Sequence, residues 1–176
     1  MKKVFYFIVG LFAFILIVAA FVDQDYMVTR SVKINQPNEV VFDYVKYLKN
    51  QDNYSVWSQI DPNMKKTFTG TDGTVGFISA WDSKHPDVGS GEQEIMNIIE
   101  GERIDFELRF LKPFEMVSPA FMITEPVSAY QTKIEWGFEG HMNYPMNLML
   151  LFMDMEEVLG KDLQDGLNDL KIILEK

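Results

Sequence analysis

The chain has 176 residues, 47% of them hydrophobic and 24% charged, which suits one domain with its own core plus a short appendage. A net charge of −10 leaves no basic stripe for phosphates and argues against nucleic acid as a partner. The lack of cysteine excludes a disulfide framework, a thiol nucleophile, thiolate metal ligation and lipidation at a cysteine.

Val4 to Val22 is a run without a charged residue, nineteen residues long and roughly 28 Å as a helix at about 1.5 Å per residue. Lys2 and Lys3 precede it and Asp23 and Asp25 follow, so the positive-inside bias puts the N-terminus in the cytoplasm and the remainder outside. A cleaved signal peptide is the competing reading, because Val18-Ala19-Ala20 supplies small residues where a peptidase cuts. The run is longer than the apolar core of about 7–15 residues usual in such peptides, which favours an uncleaved anchor. The expected organisation is an anchor or signal segment over residues 1–25 and a folded domain over 26–176. The protein is then a single-pass membrane protein with its domain on the extracytoplasmic side. Lys2 and Lys3 are the only charges before Asp23, so the domain is strongly acidic and repelled by anionic lipid headgroups.

After a polar link, Met27 to Ile34 alternates as a first strand. Gln36-Pro37-Asn38-Glu39 reads as a helix start, and Val40, Val41, Tyr44, Val45 and Leu48 continue at helical spacing. A second short helix or turn covers Gln51 to Ser58. Strand signals follow at Lys65–Thr69, Val75–Trp81, Glu92–Ile99, Arg103–Phe110, Ala120–Thr124 and Gln131–Gly140, punctuated by turn residues. The cleanest is Arg103–Phe110, with Ile104, Phe106, Leu108 and Phe110 on one face and Arg103, Asp105, Glu107 and Arg109 on the other. Ile134, Trp136 and Phe138 line the inner face of the last strand.

From Pro145 the spacing predicts one long amphipathic helix with the stripe Leu148, Phe152, Met155, Leu159, Leu163, Leu167, Leu170 and Leu174. Its first half is rich in methionine, a flexible and polarizable side chain that repacks around irregular shapes. An antiparallel sheet with one apolar face needs a cover, and this helix is the candidate. The arrangement points to a lid over a cavity for a greasy ligand.

The residues from about Thr29 to Lys176 resemble the START-related polyketide cyclase/dehydrase (SRPBCC) superfamily. The resemblance is carried by Arg30-Ser31-Val32-Lys33-Ile34 with Val40 and Phe42, by Trp57-Ser58, and by Asp61-Pro62-Asn63-Met64. It continues through Glu102-Arg103-Ile104, Phe110-Leu111-Lys112-Pro113-Phe114, Glu125-Pro126, Trp136-Gly137 and Phe152-Met153-Asp154-Met155, ending at Gly166-Leu167 and Leu170-Lys171. It implies an α+β helix-grip fold: a curved antiparallel sheet wrapped around a long C-terminal helix, here with an N-terminal transmembrane helix added. A cavity open to apolar ligands is implied between sheet and helix. The superfamily includes lipid carriers, receptors and cyclases, so the fold does not decide the activity.

The expected cavity lining is Trp81, Phe106, Leu108, Trp136 and Phe138 from the strands, with Met149, Phe152 and Met153 from the helix. Glu94 and Tyr130 are the polar candidates. Glu94 is ambiguous, because Met96 and Ile98 share its parity while Ile95 and Ile99 take the other. His85 and His141 have no spaced partner for a metal or a catalytic constellation, and no cofactor is called for. Asp154, Glu156 and Glu157 read as the exposed side of the last helix.

The partners expected are a hydrophobic small molecule or lipid, and a membrane through residues 4–22; the oligomeric state stays open. The function expected is membrane-tethered binding in the cavity. The alternatives are a cyclase- or dehydratase-type enzyme in the same pocket and a groove that docks a partner protein.

Overall fold

The computed structural model describes residues 2–176. The apolar run forms α1 (Lys2–Ala19), with a mean hydropathy of 2.2 and only Ala19 buried. By length and composition this helix can cross a membrane, a criterion that a signal sequence also meets.

Beyond it come β1 (Asp25–Ile34), α2 (Asn38–Val45), a 3-10 turn (Leu48–Asn53) and α3 (Val56–Ile60). Five strands follow as β2 (Lys65–Thr69), β3 (Ile78–Asp82), β4 (Ser90–Ile99), β5 (Arg103–Lys112) and β6 (Met116–Ser128). The chain ends with β7 (Gln131–His141), a second 3-10 turn (Met146–Leu151) and α4 (Met155–Leu174). All seven strands join one antiparallel sheet in the order β1-β7-β6-β5-β4-β3-β2. The sheet is a meander from β2 to β7, and β1 closes it beside β7.

Local chemistry accounts for these boundaries. Pro37 is the residue before α2 and Glu39 lies in its first turn, near the positive end of the helix dipole. The hairpin expected at Glu125–Ser128 lies farther on, because β6 runs to Ser128. Its prolines are accommodated where pairing is one-sided: Pro119 precedes the start of β7 pairing at Ala120, and Pro126 lies past the last β5 pair at Ile123.

The alternation of β5 holds, with Ile104 and Phe106 buried on the inner face. On the outer face the Arg109 guanidinium donates to Glu107, Glu92 and Glu94 at 2.5, 2.6 and 2.7 Å. Those three carboxylates hold its pKa above the usual value. Glu94 therefore points away from the cavity, which corrects its candidacy as an inward carboxylate. The sequence is ambiguous here because β4 contains a bulge. Ile95 pairs with Phe106 and Asn97 with Asp105, so Met96 has no partner and the parity of inner residues switches across it. Gln93 and Ile95 face inward before the bulge, and Ile98 faces inward after it.

The long C-terminal helix is also corrected. The segment from Pro145 forms a 3-10 turn that ends at Leu151, and α4 starts afresh at Met155. Asp154 is the N-cap, its side chain accepting from the Glu157 backbone N–H at 3.2 Å, and Glu156 and Glu157 occupy the first turn. The three acids are exposed, as expected, and also form the start signal of α4. The 3-10 turn is held by Asn147, which is fully buried. Its Nδ2 donates to the Ala19 and Val22 carbonyls at 2.8 Å each, and Tyr144 Oη donates to the Leu16 carbonyl at 3.2 Å. Both side chains add hydrogen bonds to carbonyls around the C-terminal end of α1, where backbone donors run out.

The second half of α4 lies against the sheet. Leu163, Leu167 and Leu170 are buried with Ile34, Ile134 and Trp136, and α2 adds Val41 and Phe42. The approach is close: a Cβ at Gly166 would stand 3.0 Å from Trp136 Cζ3 and 3.1 Å from the Tyr54 carbonyl oxygen.

Candidate functional site

Between the inner face of the sheet, α3 and the first half of α4 lies a cavity of about 330 Å³, near the lower end of the roughly 300–1,000 Å³ usual for small-molecule sites. Alternation on the strands decides which residues line it. Trp81, Gln93, Leu108, Phe110, Ala120, Trp136 and Phe138 all project from the inner face. From α4 come Met155, Leu159 and Leu163, at helical spacing on one side.

Two aromatic groups shape the walls. Tyr26, Phe138, Phe110 and Trp81 form an arc of successive contacts, with ring centroids 6.5, 6.5 and 6.0 Å apart. Trp57 meets Trp136 edge-on at 6.2 Å on the wall, and the buried Tyr54 backs Trp136 edge-on at 5.8 Å. Burial raises the pKa values of Tyr26 and Tyr54, so both phenols stay neutral. Trp81 is fixed by its own polar handle, Nε1 donating to the Val88 carbonyl at 3.3 Å.

Most of the polar lining is gathered on one side, while Asp87 sits apart in the β3–β4 loop. Lys66 on β2 pairs with Asp52, and its Nζ also donates to Ser58 Oγ at 3.2 Å. Ser58 Oγ in turn donates to Asp52 at 3.4 Å. Ser55, Ser79 and Gln93 complete that side. Such a wall offers a cation, a carboxylate and hydroxyls to one end of a ligand whose remainder meets aromatic and aliphatic surface. Among the described residues no group of three or more histidines, aspartates or glutamates is placed to hold a metal ion. His85 lies in the β3–β4 loop, and His141 ends β7, paired with Asp25 at 2.6 Å.

Of the ten expected lining residues, Trp81, Leu108, Trp136 and Phe138 lie on the cavity wall. Phe106 is buried in the core one row away, at 2% exposure. Tyr130 is 78% exposed at the β6–β7 turn, the opposite end of the sheet from the cavity mouth residues Tyr26 and Met116. Met149 is 41% exposed and does not reach the cavity, and Phe152 and Met153 lie outside the helix altogether. These helix-borne candidates fail because the break at Asp154 turns them away. Lys66, Asp52 and Ser58 were missed, as Lys65-Lys66 has no parity signal and the other two lie in short helical turns without a clear face.

No protein-family model and no curated protein sequence matches the chain. Solved structures do. A protein of Chromobacterium violaceum superposes with a TM-score of 0.60 at 14% identity, covering 85% of this chain and 97% of its own. Norcoclaurine synthase from Thalictrum flavum gives 0.59 at 11% identity, covering 86% and 95%. Major latex-like protein 151 from Panax ginseng gives 0.60 at 13%, covering 86% and 99%. The chain has the helix-grip fold. At these identities the likeness is one of fold, and the START-related resemblance of the sequence holds at that level.

Proposed function

We propose that the protein binds a hydrophobic small molecule or lipid bearing one polar group, in the cavity beneath the first half of α4. In this reading α1 tethers the domain (residues 26–176) to a membrane, on its extracytoplasmic side. The observation that carries the proposal is the cavity itself: an aromatic arc and aliphatic α4 residues over most of its wall, with Lys66, Asp52 and Ser58 on one side. Transfer of apolar ligand surface from water contributes roughly 25 cal/mol per Å², so sequestration needs no further chemistry.

The test uses a neutral polarity-sensitive dye, N-phenyl-1-naphthylamine, with the purified chain in detergent. Saturable fluorescence enhancement is expected, and Ala120→Phe, which fills the cavity from the β6 wall, weakens it at least tenfold. Unchanged dye affinity in a folded Ala120→Phe variant would remove the cavity from the proposal.

A second reading, a cyclase- or dehydratase-type enzyme, draws on Lys66 and Asp52 at the cavity wall. Support by analogy comes from the Thalictrum flavum synthase, whose structure is also known in complex with dopamine and hydroxybenzaldehyde. Lys66→Met separates the two: a carrier keeps its dye affinity within a few-fold, whereas an enzyme loses turnover. A partner-docking groove beside Met146 and Met149 requires an open apolar groove in place of a cavity, so the cavity weighs against it.

A further inference from the structure

In the antiparallel sheet every strand contributes either its start or its end to a given edge, so the register decides what lies together. The edge where β1 begins at Asp25 also holds the end of β7, the start of β6 and the β5–β6 turn. The end of β3, the start of β4 and the loop between them complete it, and this loop packs on the turn: a Cβ at Gly89 would lie 2.1 Å from the Lys112 carbonyl oxygen. α1 joins the domain at this edge, and Asn147 and Tyr144 fasten the second 3-10 turn to its last residues.

Large apolar side chains project from the same edge without packing partners. Phe114 at the β5–β6 turn is 81% exposed and Phe152 after the 3-10 turn is 87% exposed. Phe21, Leu111, Met146 and Leu151 are exposed beside them. The opposite edge also has exposed apolar residues, Tyr130, Val127 and Ile99, but no apolar helix is attached there. The cavity reaches the populated edge through Tyr26, Val88, Met116 and Met155.

We infer that this edge is a lipid-docking face: with α1 in the bilayer, Phe114 and Phe152 enter the hydrocarbon boundary and the cavity faces the membrane surface. The inference rests on the membrane reading of α1. Continuity carries it, since Asn147 and Tyr144 bond the segment that leads to Phe152 onto the end of the apolar α1, and Phe114 lies on the same edge of the sheet. Charge selects the lipid. A chain of net charge −10 gains nothing from anionic headgroups, so the surface that fits is electrically neutral phospholipid, held by apolar insertion alone. A ligand then passes between bilayer and cavity without crossing bulk water.

The chain has no cysteine, so a single introduced one takes a spin label uniquely. Phe114→Cys, Phe152→Cys, Tyr130→Cys and Phe12→Cys are made separately in the full chain, at exposed positions where a label disturbs no packing. Each is reconstituted in phosphatidylcholine vesicles, and its accessibility to oxygen, which partitions into lipid, is compared with that to a water-soluble nickel chelate. Labels at 12, 114 and 152 are expected to favour oxygen, and the label at 130 the chelate. If 12 favours oxygen while 114 and 152 behave like 130, the docking face is wrong and the anchor stands. If 12 also favours the chelate, the membrane reading and the docking face fall together.

Discussion

Past Leu163, which closes the end of the cavity, α4 is part of a solid core, with Leu167 and Leu170 fully buried alongside Ile34 and Ile134. From Met155 to Leu159 the same helix roofs a cavity, and its side chains there are only partly buried. Both stretches keep the same apolar spacing, so periodicity does not separate them. What differs is the opposing layer. Under the second half, α2 and the Gly166 contact bring the layers together. Under the first half, Ala120 on β6 and Ser79 on β3 present short side chains to the helix and leave space. Close packing is concentrated in one half of the helix and open space in the other.

The largest effect expected from this contrast is on stability. Leu167→Ala removes a fully buried side chain from close packing and should cost about 3 kcal/mol. Leu159→Ala only widens an existing space and should cost under about 1 kcal/mol. Urea unfolding of the two variants compares them directly; equal losses would mean that both halves are packed alike.

Asn147→Ala removes two hydrogen bonds to the end of α1 and should cost about 1–2 kcal/mol, confined to the cavity-bearing end. Hydrogen exchange should accelerate at the Phe21 and Val22 amides and stay unchanged at Leu167 and Leu170. Acceleration at both ends would mean the halves open as one unit.

Smaller again is Asp154→Ala, the loss of the N-cap of α4, at about 1 kcal/mol. Its signature is faster exchange at Glu157 and Val158 with protection retained past Leu163.

The smallest effect is electrostatic, at the exposed His141–Asp25 pair on the same edge. The Asp25 carboxylate bonded to the ring raises the His141 pKa above 6.5. Because the folded value is the higher one, the stabilisation is complete below about pH 6.5 and is lost as pH rises through the raised value. A proton NMR titration should place His141 above 6.5 and Asp25→Asn should bring it down. An unchanged midpoint in Asp25→Asn would assign the shift to another cause.

The fold was legible in the sequence to a large extent. Alternation in Arg103–Phe110 and Gln131–Gly140 placed Leu108, Trp136 and Phe138 on the inner face, and no distant residue had to be known for that. Glu94 was illegible because one unpaired residue, Met96, inverts parity, and a bulge leaves no mark in a two-residue pattern. Phe152 and Met153 were misplaced because apolar spacing ran through a helix start, although Asp154 with Glu157 three residues later is a recognisable cap and acid pair. The polar wall of Lys66, Asp52 and Ser58 joins residues from three separate elements.

The amino-acid sequence by itself determined the apolar N-terminal helix, the strand succession, the inward faces of the regular strands and the apolar stripe of α4. These follow from local rules, the geometry of one helix or one strand acting on nearby residues. Tertiary structure alone decided where the stripe meets a core and where it meets a cavity, which polar groups share that cavity, and that α1 and exposed apolar tips occupy one edge. Those features depend on the separation between layers and on sheet register, sums over contacts between residues distant in the chain, on which no local pattern reports.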